Sequence, residues 1–314
     1  MPPSRPIDVS LSELHLTGIP GLQHLHRWIA IPFCTMCVIT LAGSSTRLCV
    51  MKAESSLHLP MFPFLSMLAV IDLVMSTSIT PNMLGISWFH STAISLDACL
   101  TQMHFVHACS VMESGVLVAM AFDRYVAIGN PLQYLSILAS PVVAAVGLAT
   151  WLRAVAFTSP LTVCIHRLPF CGPALVAHSC REPMAVLRVA CGDTAFCNAY
   201  SLSLSTVVGS CDPLLIVPSY MLVLRAVFSI SRPEARRKAF STCGSHLCVM
   251  ALFYVPGLLS MHVERYCQQL PPHVHVLLAD LYLLIPPAFN PLIYGIKTKQ
   301  IRDGALRVIS RRRR

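Results

Sequence analysis

The stretch Met120-Ala-Phe-Asp-Arg-Tyr-Val-Ala-Ile-Gly-Asn-Pro-Leu-Gln-Tyr134 decides how this chain is read. It closes a segment that is apolar from Val111 to Ala121 apart from Glu113, then sets an acid, a base and a phenol side by side at Asp123, Arg124 and Tyr125. Ionised side chains are costly at the centre of a bilayer, so charges directly behind such a run fall where a spanning helix leaves lipid and meets water. A solvated turn that happens to be charged would not need the apolar run before it.

Composition extends the same reading to the whole chain. Of its 314 residues, 55% are hydrophobic and only 12% charged, and the mean hydropathy is +0.65, which fits a soluble class poorly. Each spanning helix needs about 20 largely apolar residues. Segments near Trp28–Met51, Met61–Leu84, Ala98–Phe122, Pro141–Cys164, Ala199–Ile230, Ala239–Val263 and Val274–Ile296 meet that need. The expected fold is therefore an all-α membrane protein, a seven-transmembrane helix bundle. It divides into an extracellular tail over 1–27, the helical domain over 28–296 and a basic cytoplasmic tail over 297–314. No room is left for a separate catalytic domain.

The net charge of +9 would suggest nucleic acid on a soluble surface, but its placement argues otherwise. Lys52, Arg225, Arg232, Arg236, Arg237, Lys238, Lys297, Lys299, Arg302, Arg307 and the Arg311–Arg314 run share one side of the seven-span arrangement, and few basic residues occupy the other. This positive-inside pattern puts the N-terminus outside and the C-terminus in the cytoplasm, with the terminal arginines anchored on anionic lipid. The first 27 residues hold no long apolar core behind a basic start, so no cleavable signal is expected and the first helix serves for insertion. The asparagines Asn82, Asn130, Asn198 and Asn290 begin no glycosylation sequon.

Within the spans, polar residues stand out. Asp72 and Glu113 lie at depth and should face the bundle interior, and Arg124 follows Glu113 by eleven residues, about 16 Å along the helix. Arg47 lies close enough to one end of its span to snorkel. Arg153, near the middle of the fourth span, is expected to turn inward or toward a local acid. Most of the fourteen cysteines fall within apolar spans and read as small buried hydrophobes. Cys99, Cys171, Cys180 and Cys191 do not, and four cysteines allow three pairings; a zinc site is disfavoured by the lack of a CxxC pair.

Several runs carry a resemblance to a known family. Asp123-Arg124-Tyr125, Asn290-Pro291-Leu292-Ile293-Tyr294, the Ser219-Tyr220 pair and above all Lys238-Ala-Phe-Ser-Thr-Cys-Gly-Ser-His-Leu247 resemble the odorant receptors among rhodopsin-like G-protein-coupled receptors. Pro271 to Pro287 looks like their class I branch. The resemblance covers the chain from about Leu16 to Arg302. It implies disulfides Cys99–Cys180 and Cys171–Cys191, an activation switch of Asp123, Arg124, Tyr125, Tyr220 and Tyr294, and a sodium ion or waters among Asp72, Glu113 and Asn290. It also implies an odorant pocket on the outer side of Tyr254, with His104, His107, Ser203, Thr206 and Arg265 as candidate contacts. His104 and His107 are three residues apart and so share a face. Arg265, a planar guanidinium at the pocket mouth, would pair either with a carboxylic acid or with Glu264 beside it or a loop acid.

The function implied is that of a receptor, not an enzyme. It binds a small volatile or carboxylic-acid-like ligand, activates the stimulatory olfactory G protein and raises cyclic AMP. It acts at the plasma membrane of sensory cilia, with membrane lipid and an export chaperone as further partners, no nucleic acid, and no cofactor beyond the sodium ion. Departures from the family pattern raise an alternative, a degenerate, poorly trafficked receptor: Ser44 stands where the family carries Asn, Pro213 and Pro218 stand where it carries aliphatic residues, and the tail sequon is missing. A polytopic transporter using Asp72 and Glu113 is the other rival, and no inverted repeat supports it.

Overall fold

The computed structural model describes residues 13–16, 18–22, 25–53, 59–89, 93–170, 175–176, 182–267, 269–298, 301–304 and 306–307. Seven of its helices are long and apolar enough to cross a membrane: α1 (His26–Ala53), α2 (Met61–Trp88), α3 (Leu96–Gly129), α5 (Ser140–His166), α7 (Ala195–Phe228), α8 (Pro233–Tyr266) and α9 (Pro272–Lys297). They are the seven spans expected, each longer than its apolar run because polar turns extend it beyond the hydrocarbon. Two short helices, α4 (Tyr134–Ile137) and α6 (Pro183–Leu187), lie in the connections. The Cys171 and Cys180 positions and the terminal arginine run fall outside the described residues.

Helix α3 is the axis of the bundle. It begins at Ser95, whose side chain accepts from the Ala98 amide at 3.2 Å, with Asp97 in its first turn, a favourable start on both capping and dipole grounds. It packs against α2, α5, α7 and α8, and its most apolar stretch is 72% buried, against 17% for that of α5. The main core joins Phe64, Leu68, Leu117, Met120, Phe253 and Leu284. Helices α1 and α9 approach closely because residue 43 is glycine: a Cβ there would come within 2.5 Å of Pro291 Cβ. That contact brings Ser44 and Arg47 beside the Asn290 end of α9.

The fold is not purely helical. Three short strands, β1 (Glu13–Leu16), β2 (Ala93–Ser95) and β3 (Leu175–Val176), form a sheet in the order β2-β1-β3, β1 running antiparallel to β2 and parallel to β3. The alternation Leu14, His15, Leu16 turns both leucines into the bundle end, where they pack with Leu100, Met103, Ile165 and Val186. Each buried leucine contributes about 2 kcal/mol, which ties this part of the tail to the bundle.

Candidate functional site

Four polar groupings lie along the bundle axis, and α3 contributes to each. At the end away from the sheet, Arg124 pairs with Asp123 at 3.6 Å, and its Nη2 lies against Met61 Sδ. Asp123 also accepts from the Tyr134 hydroxyl of α4 at 2.7 Å. Burial, and then the Asp123 charge, raise the Tyr134 phenol above its usual range, so it remains a donor. Tyr125 is partly buried beside Phe122. Tyr220 does not reach Arg124; its hydroxyl is bonded to Nδ1 of His246 on α8. The His246 ring lies between Tyr220 and Tyr294, its centroid 5.9 Å and 6.4 Å from theirs. His246 thus joins three helices, a role that its place in the Lys238 to Leu247 run did not reveal.

Deeper in the bundle, Asp72, Glu113 and Asn290 come together as expected. The Asn290 amide donates to Asp72 Oδ1 at 2.9 Å and to Glu113 Oε1 at 3.1 Å. Arg47 joins them: it does not snorkel but turns inward, 2% exposed, and its Nη2 meets Asp72 Oδ2 at 2.6 Å and Ser44 Oγ at 2.8 Å. A buried carboxylate attracts a nearby guanidinium more strongly than the interface does, because desolvation is offset only by pairing.

Above this cluster, Arg153 reaches an acid, Asp212 of α7. Nη1 meets Oδ1 at 2.8 Å and Nη2 meets Oδ2 at 2.9 Å, a bidentate pair, and Nη2 also donates to the Val111 carbonyl at 2.9 Å. Ser114 donates to Asp212 and shares a 2.7 Å hydrogen bond with the Tyr254 hydroxyl. Gly115 permits this: a Cβ there would meet Thr150 at 2.7 Å and Arg153 Nη2 at 3.3 Å. Asp212 is an acid in an apolar span, a signal in the sequence as plain as Asp72 but masked by the prolines around it.

Tyr254 forms the floor of a cavity of about 190 Å³ between α3, α5, α6, α7, α8 and α9. His107, Tyr254 and Arg265 line it; His104, Ser203 and Thr206 do not. His104 is turned to α5, its Nδ1 3.1 Å from the Thr162 hydroxyl. Ser203 and Thr206 are exposed on the outside of α7, and the wall takes Ser201 and Ser205 in their place. At the mouth, Arg265 Nη2 donates to Asn198 Oδ1 at 3.3 Å. Glu182 and Glu264 also line the cavity and are hydrogen-bonded to each other. Glu182 is only partly buried as a residue, yet its Oε2 is enclosed. That enclosure, followed by Glu264 and Asp280, pushes its carboxyl well above the ordinary range.

Near the mouth, a disulfide joins Cys164 of α5 to Cys197 of α7, with Cα atoms 6.0 Å apart. Both cysteines end apolar runs and so read from sequence as hydrophobes; the structure corrects that. Cys191 is also disulfide-bonded, and Cys99 is buried and has a partner.

A family model described as olfactory receptor matches residues 33–312. The chain belongs to the olfactory receptor family. It is 47% identical over 297 residues to human olfactory receptor 52K2, covering 95% of each chain, and 46% identical to human olfactory receptor 52K1 over the same share. Human olfactory receptor 52B2 is 46% identical over 92% of this chain and 90% of its own. This olfactory receptor is thus a multi-pass membrane protein and an odorant-responsive G-protein-coupled receptor, not an enzyme.

Proposed function

We propose that a small carboxylic acid binds in the cavity above Tyr254, anchored by Arg265, and shifts the bundle toward a state that activates the stimulatory olfactory G protein and raises cyclic AMP. The observation that carries the ligand class is the engagement of Glu264. This neighbour, the residue best placed to neutralise Arg265, is hydrogen-bonded to Glu182 instead, and the Arg265 guanidinium rests on the neutral Asn198. A guanidinium whose direct hydrogen-bond partner is a neutral amide can exchange it for an incoming carboxylate, which it holds bidentately. The size of the cavity suits few heavy atoms, since about 150 Å³ accommodates benzene. His107, Ser201, Ser205 and Tyr254 would supply the remaining polar contacts.

The orientation follows from the charge pattern: tail 1–27 outside, helices over 28–296, and tail 297–314 in the cytoplasm, in the plasma membrane of sensory cilia. Activation moves the inner end of α8 outward, Asp123 releases Arg124, and Arg124, Tyr125, Tyr220 and Tyr294 shape the cavity for a G-protein helix. Export with a chaperone and anchorage of the terminal arginines on acidic lipid belong to the same reading. No cofactor takes part. The degenerate-receptor alternative is not favoured, because α7 runs unbroken through Pro213 and Pro218 and Ser44 is fully engaged. Cyclic AMP in cells exposed to aliphatic acids and the matching alcohols tests the proposal. A response to acids, lost in Arg265→Ala at equal surface density, is expected; an Arg265→Ala response equal to wild type would reject the anchor.

A further inference from the structure

The sodium ion expected among Asp72, Glu113 and Asn290 does not fit the residues present. Of the four carboxylate oxygens on the two acids, three are already engaged. Asp72 Oδ2 takes Arg47 at 2.6 Å and Ser44 at 3.3 Å, and Asp72 Oδ1 and Glu113 Oε1 both accept from the Asn290 amide. The remaining oxygen, Glu113 Oε2, has no hydrogen-bond partner among the described residues, and a single carboxylate oxygen does not make a cation cage. No group of three or more His, Cys, Asp or Glu suited to a metal occurs among the described residues. A second cation would also have to settle within a few ångströms of a guanidinium in a dry interior, where like charges repel far more than in water.

We infer that Arg47 is the resident cation of the Asp72–Glu113 cluster, a tethered guanidinium in the position of a diffusible ion, so that this receptor neither takes up sodium there nor responds to it. Ser44 and Arg47 act together. The serine hydroxyl is short enough to leave space for the guanidinium and accepts from it at 2.8 Å, while Arg47, at 2% exposure, is sealed from the solvent into which it would otherwise extend. Its Nε and Nη1 have no acceptor among the described residues, so its pairing is with Asp72 and Ser44 and leaves Glu113 to Asn290. The inference goes beyond the proposed ligand and coupling, and it depends on neither.

Thermal unfolding of the purified full chain, needing no agonist, provides the test. Midpoints are compared in sodium chloride and choline chloride, each at about 0.15 M, so that general screening is equal. Wild type should unfold at the same temperature in both. Arg47→Val should unfold earlier in choline and be raised by sodium in a saturable manner, and Arg47→Val with Asp72→Asn should lose that response. If Arg47→Val does not fold, the same double variant should restore folding, because it removes the stranded carboxylate. Sodium-specific stabilisation of wild type, indifference of a folded Arg47→Val to sodium, or a double variant that folds no better than the single one would each overturn the inference.

Discussion

Glu182 sets the pH response expected at the cavity mouth. Its carboxyl titrates at 4.5 when unperturbed and well above that in the fold. Between those two values the folded chain holds a proton that the unfolded chain has lost, so stability is full below about 4.5 and declines as pH rises toward the folded value. Glu182→Gln should flatten that decline in a series of unfolding midpoints against pH; a slope unchanged by the substitution would remove the Glu182–Glu264 pair as its source. Single side chains are also where sequence reading reaches its limit. Asp72, Glu113 and Asn290 are visible as polar residues at depth, but whether Arg47 snorkels or turns inward depends on the distance to Asp72, which the packing of α1 against α2 fixes. Ser203 and Ser201 are likewise indistinguishable by composition. A membrane-facing serine satisfies its hydroxyl on its own helix, as Ser203 does on the Ala199 carbonyl at 2.8 Å, so it has no need to face a cavity.

Helices, by contrast, are plain in the sequence. All seven spans follow from apolar length alone, because lipid leaves a backbone segment no alternative to a helix. Their rotational phase is not plain, since a spanning helix is apolar on nearly every side, and this is why α7 presents Ser201 and Ser205 inward where Ser203 and Thr206 were expected. The β2-β1-β3 sheet is hidden for a different reason: its strands are two to four residues long and come from the N-terminal tail and two separate connections. Between α5 and α7 the bidentate Arg153–Asp212 pair makes a firm expectation. Asp212 is 3% exposed while Arg153 keeps 28% of its side chain exposed, so removing the arginine costs up to about 3–5 kcal/mol, the figure for a fully buried pair. Arg153→Ala should therefore lower the unfolding midpoint sharply, and adding Asp212→Ala should recover part of the loss. Additive losses in the double variant would mean that the two side chains act independently.

Across the whole molecule, the polar groupings form a column along α3, from Arg265 and Glu182 at the mouth, through Tyr254 with Ser114, Asp212 and Arg153, to Asp72 with Arg47, and on to Arg124. Each joins α3 to different neighbours, so the proposed ligand on Tyr254 would bias helix positions at the far end without a continuous wire of contacts. His246, bonded to Tyr220 and tilted against Tyr294, joins α7, α8 and α9 in the present arrangement. In the proposed mechanism, ligand entry at one end releases Arg124 at the other. The most direct measurement is cyclic AMP in cells carrying the N-terminally tagged chain, wild type against Arg124→Ala, at equal surface staining over a panel of aliphatic acids. A graded rise in wild type that is absent in Arg124→Ala is the expected result; a response in Arg124→Ala as large as in wild type would contradict it.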